Sequence, residues 1–118
     1  MAALSSTMDQ REYRQITNSA NVFSRSILEE TICVMRTVNP LIANKLQAII
    51  SAGPIEKPEK HRGGPETDFF QVQLDQSELE VIVEAFCELE VSNLTSRGAT
   101  TLTASHYATM LDIWHAAT

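Results

Sequence analysis

The side chains able to do chemistry are few: three histidines (His61, His106, His115), two cysteines (Cys33, Cys87) and an acidic row of Glu80, Glu84 and Glu88. A bound metal needs several such groups on one site. His106 and His115 are nine residues apart, on opposite sides of one helix, and His61 sits in a Gly/Pro-rich stretch. No Cys-x-x-Cys or Cys/His ligand spacing is present. Covalent catalysis needs a serine or cysteine beside an oriented base. No nucleophile-elbow pattern surrounds any serine, and both cysteines fall in apolar helical patterns, where burial holds a thiol protonated. Two buried, reduced thiols are expected. The glutamate row lacks the apolar pocket that raises the pKa of a general acid. The pattern argues against catalysis and implies no metal or cofactor.

Two weaker signals concern ligands. Lys60-His61-Arg62 followed by Gly63-Gly64 could cradle an anion through backbone N–H groups, but it fits neither a P-loop nor a dinucleotide fingerprint. A solvated loop is the plainer reading. Phe86, Tyr107, Met110 and Trp114 could line a pocket between helices, although aromatic residues at helical spacing ordinarily form core.

The elements that must position these groups are mostly helices. Gln10 to Val38 reads as one long amphipathic helix, with Tyr13, Ile16, Ala20, Phe23, Ile27, Val34 and Val38 on one stripe and Arg14, Arg25 and Arg36 opposite. Asp9 with Glu12 has capping-box spacing. Thr17-Asn18-Ser19 and Asn21 are its weak point, and a break near Asn18 is the competing reading. Beyond Ile27, residues Leu28, Ile32, Cys33 and Met35 spread apolar surface around the helix, so that end should be buried on several sides.

Asn39-Pro40 separates this helix from a second, Leu41 to Ser51, which Gly53-Pro54 stops. Leu41, Ile42, Leu46, Ile49 and Ile50 make its apolar face. Residues 53–67 hold three of the four prolines and three of the four glycines, and should form a mobile, protease-sensitive loop. Asp68 to Leu74 alternates as a strand does. Asp75 with Glu78 opens a third helix, Gln76 to about Val91, with Leu79, Ile82, Val83, Phe86 and Leu89 inward. A last helix runs from about Ala104 to Ala117, capped by Thr103. The strand should pair with Thr100–Thr103 or with its own copy across a two-fold axis.

The predicted fold class is α+β, predominantly helical. A single domain spans 1–118: a loose tail (1–8), a helical part (9–52), a flexible loop (53–67) and a strand with two helices (68–118). The chain carries a net charge of −6 and is acidic at its end. Residues 1–52 sum to +1, whereas 68–118 set Arg97 alone against eight acids. That half is unsuited to phosphate backbones, which argues against nucleic acid. No apolar run is long enough for a signal peptide or a membrane span, so the expectation is a soluble cytoplasmic protein.

An unbroken rod of 29 residues would be about 43 Å long and overhang a domain about 35 Å across. A second subunit would cover the overhang. The expected function is therefore a non-catalytic, homo-oligomeric (dimeric) protein-interaction module. Its interface would be Tyr13, Ile16, Ala20, Phe23 and Ile27, and Arg14 and Arg25 would dock on Glu80, Glu84 and Glu88. The alternative is a small-ligand binder built on Phe86, Tyr107, Met110 and Trp114.

Overall fold

Phe23 and Phe70 lie opposite each other on two short antiparallel strands, and the rest of the fold is hung on that pairing. The computed structural model describes residues 14–15, 21–55, 68–99 and 101–118. Among them are β1 (Val22–Ser24), α1 (Arg25–Val38), α2 (Pro40–Ala52), β2 (Phe69–Gln71), α3 (Gln76–Ser92) and α4 (Leu102–His115). The α+β, predominantly helical class holds, as four helices with a two-stranded sheet among the described residues.

The single helix expected from Gln10 to Val38 is interrupted. Arg14 and Gln15 are helical, but Val22–Ser24 is a strand, and a new helix starts at Arg25. The Ser24 side chain accepts the N–H of Ile27, a cap that a continuous helix would have no use for. The outcome follows from residue type. Asn21 favours turns, Val22 and Phe23 favour strands, and Ser24 supplies the oxygen that restarts the helix. Asn18, where the competing reading put the break, lies outside the described residues. The rod that would have overhung the domain is gone, and the argument for a dimer from its length goes with it.

The strand expected at Asp68–Leu74 is present, shortened to Phe69–Gln71. Within the chain its partner is β1, in the register Val22↔Gln71, Phe23↔Phe70, Ser24↔Phe69. Thr101 caps α4 instead, accepting the Ala104 N–H at 2.9 Å, and Leu102 and Thr103 are already helical. The ladder continues past the strands. Val72 N–H donates to Asn21 C=O, and Arg25 N–H to Asp68 C=O. Ile55 N–H donates to Phe69 C=O at 2.7 Å, tying the start of the expected mobile loop to the strand. Residues 56–67, with the Lys60-His61-Arg62 cluster, lie outside the described residues.

The helix boundaries follow the capping chemistry. Asn39 ends α1 and caps α2, its side chain accepting the Ile42 N–H, and Pro40 takes the first helical position. Gly53 ends α2 at φ 105°, a conformation costly to any side chain. Asp75 and Glu78 form the reciprocal capping box at the head of α3.

Helices α1 and α2 form one hairpin and α3 and α4 another. Their common core is built on Leu28, Met35, Leu46, Ile82, Phe86 and Trp114, all fully buried. Trp114 stacks on Phe23 with ring centroids 4.1 Å apart. Its indole N–H donates to the hydroxyl of Thr31, the one buried polar side chain among the described residues. That hydroxyl in turn donates to the Ile27 carbonyl. The contact answers the rule that a buried polar group must find a partner.

Candidate functional site

The residues expected at an intersubunit stripe are occupied elsewhere or lie outside the described residues. Tyr13, Ile16 and Ala20 belong to the latter. Phe23 is 3% exposed and stacked on Trp114 within its own chain, and Ile27 packs against the same core. The strand geometry explains this: with Ser24 as helix cap, the Phe23 side chain points into the sheet's buried face beside Phe70.

Within one chain, Arg25 lies away from the glutamates expected to dock with it across subunits. The Arg25 guanidinium donates to the Asp68 carboxylate at 2.9 Å and lies over the Phe70 ring, 5.2 Å from its centroid. That places it at the sheet. Arg14 is exposed. Glu80 and Glu84 stay exposed on the outer face of α3, where Glu80 accepts from the Gln76 amide, whereas Glu88 borders the groove between α3, α1 and α4. Among the described residues no arginine is brought to them.

Of the four expected pocket residues, Phe86, Met110 and Trp114 are fully buried in the core. Tyr107 lines a concave surface. A groove of about 340 Å³ runs between α1, α3 and α4, lined by Thr37 and Val38, by Leu89 and Ser92, and by Tyr107. The Tyr107 ring is 6.2 Å from that of Phe86, which closes the floor behind it.

Both cysteines are exposed free thiols, contrary to the expectation of burial. Leu28, Ile32 and Met35 turn inward from α1 as expected, and Cys33 turns out beside them. A helix facing its core on one side has no second partner there to cover the thiol. His106 contacts Glu30 at 2.6 Å, joining α4 to α1 on the surface. Among the described residues no group of three or more His, Cys, Asp or Glu side chains is placed to hold a metal ion. No helix formed by the described residues is long and apolar enough to cross a membrane.

Two side chains at the head of α3 have shifted protonation. Hydrogen bonding to Glu78 holds the Lys45 ammonium above its ordinary pKa. The Ser77 hydroxyl, and then the Glu78 N–H, hold Asp75 below the usual carboxylate range. These shifts belong to a helix cap and its neighbour across α2, and they leave the groove untouched.

A different feature stands out at the other end of the helices. The groove brings the last turn of α1 against the last turns of α3, so their C-termini share one end. The tight Asn39 connection puts the start of α2 there. The Thr101 hydroxyl, donating to the Asn93 carbonyl, puts the start of α4 there too. The exposed large hydrophobic residues of the described chain are Val38 (51%), Leu41 (74%), Val91 (62%) and Leu102 (92%). They are the last residue of α1, the second of α2, the penultimate of α3 and the first of α4. All four therefore crown the same pole. The helical stripes had placed Val38 and Leu41 inward. Both occupy terminal turns, where the chain reverses and the neighbouring helix no longer covers the stripe.

At this point comparison with known proteins adds nothing to the geometry: no protein-family model, no curated protein and no solved structure matches the chain.

Proposed function

We propose that the chain is a non-catalytic protein-interaction module of the cytoplasm that associates with itself, its contact surface lying at the pole formed by the ends of all four helices. The observation that carries this is the gathering of Val38, Leu41, Val91 and Leu102 at that pole. A single exposed leucine is ordinary on a protein surface. Four large apolar side chains at one end, beside an open groove, are the kind of surface that protein contacts cover.

Cross-linking from position 41 in a lysate of the native cell, together with sizing of the protein there, tests the reading. The expected result is an assembly larger than the 13.1 kDa chain, with protein cross-links from the pole. A free monomer without such links would overturn it.

A second reading, a small-ligand binder, has the Tyr107-lined groove in its favour, since about 340 Å³ falls at the lower end of ligand-site volumes. It predicts a rise in Tm with a small molecule and loss of that rise in Tyr107→Ala.

A further inference from the structure

Resting on the interaction reading, we propose that the polar end carrying Val38, Leu41, Val91 and Leu102 binds the same end of a second copy of this chain, in an isologous two-fold contact. The choice of partner comes from charge. The chain as a whole carries −6, so two copies repel at most orientations. The outer face of α3, with Glu80 and Glu84, would attract a basic partner and repel a copy of itself. The pole is different. Among the described residues its charged side chains are Arg36 in the last turn of α1, Glu88 and Glu90 near the end of α3, and Arg97 in the connection to α4. Two positive charges balance two negative ones at an end of an otherwise acidic molecule.

These four side chains are also unspent. Arg25 is held by Asp68 and Lys45 by Glu78. Arg36, Arg97 and the carboxylates of Glu88 and Glu90 have no ion-pair partner among the described residues. A two-fold axis presents each surface to its own copy, so a self-contact must carry both halves of every complementary pair. An apolar centre flanked by free arginines and free glutamates meets that condition. Across the axis the arginines of one copy face the glutamates of the other while the apolar side chains pack between them. Rim charges of this kind set register and orientation, and the desolvated centre supplies most of the affinity.

Sedimentation of the full chain from low to high micromolar concentration tests the contact. The wild type should pass from 13.1 kDa to twice that mass. Leu41→Asp and Leu102→Asp alter side chains that are already exposed, so each should keep the wild-type Tm at low concentration, where both are monomers, and weaken association by at least about tenfold. Two charge variants add a sign test. Arg36→Glu/Arg97→Glu alone and Glu88→Arg/Glu90→Arg alone should stay monomeric, and mixing them should restore the dimer. A wild type that stays monomeric overturns the proposal and the self-association in the reading beneath it. A wild-type dimer whose pole variants associate as tightly overturns the contact surface in both, whereas a dimer weakened by Leu41→Asp and Leu102→Asp whose two charge variants do not pair on mixing overturns the two-fold proposal alone.

Discussion

Trp114 donates its indole N–H to the hydroxyl of Thr31 across 3.0 Å, with both side chains fully buried. The bond joins the end of α4 to the middle of α1 and is the polar centre of an otherwise apolar core. Thr31→Val keeps the shape and removes the acceptor, leaving a buried donor without a partner. The expected cost is about 1–3 kcal/mol. Thr31→Ser keeps the hydroxyl and should lose less. Urea unfolding followed by the fluorescence of the single tryptophan measures both, and equal losses in the two variants would refute the role of the hydrogen bond.

Phe23 is a second centre of stability. It lies against Trp114 and across the sheet from Phe70. Phe23→Ala should cost about 3–5 kcal/mol, a large share of an ordinary domain's stability. The loss should not depend on protein concentration, because the contacts are made within one chain. A stability that recovers at high concentration would return Phe23 to an intersubunit role.

The cap of α3 makes stability depend on pH at both extremes. Asp75 is more acidic when folded, because the Ser77 hydroxyl and the Glu78 N–H bind its charged form. Its contribution is complete above the unfolded-state pKa and fades as pH falls through the folded one. Lys45 is shifted upward, chiefly by its hydrogen bond to Glu78. Its contribution is present below the ordinary lysine pKa and disappears as pH rises through the folded value. Asp75→Asn should flatten the acid limb of the stability curve and Lys45→Met the alkaline limb. Thermal unfolding across the pH range reads both, and crossed effects would be inconsistent with these assignments.

The exposed thiols of Cys33 and Cys87 should react with a soluble disulfide reagent in native buffer. Two equivalents are expected before any unfolding. One or none would mean that a neighbouring surface covers the missing thiol, and repeating the reaction at low concentration would show whether that surface is a second chain.

Capping chemistry was the most legible part of the sequence. Asp75 with Glu78, Asn39 before Pro40 and Gly53 after Ala52 act within a few residues of themselves, so the local sequence contains their whole argument. The split at Val22–Ser24 was not legible in the same way. Phe23 and Ile27 are four apart, which satisfies a helical stripe, and an inward strand residue followed by a capped helix produces the same spacing. What separates the two is the segment around β2, where Val72 N–H donates to the Asn21 carbonyl and the Asp68 carbonyl accepts the Arg25 N–H. No window around Phe23 contains that partner. The pole was illegible for a related reason. Periodicity says which side of a helix is apolar, but not how far along its length a neighbour extends. Val38 and Leu41 fit their stripes and still protrude, because they lie where the packing stops.

The sheet also bears on the order in which the chain folds. Each helical hairpin can form from residues near one another in sequence, whereas the strands join segments far apart: Arg25 and Asp68, at their margin, are 43 residues apart. Closing so wide a span costs chain entropy that only completed packing returns. The two hairpins should therefore assemble early and the strands zip last, as the latch on a preformed pair. Substitutions in α3 and α4 should then slow refolding, while Val22→Ala and Gln71→Ala chiefly speed unfolding. A latch of three residues per strand is also the part that opens first, so native-state amide exchange at Val72 and Arg25 should outpace that in the middle of α3.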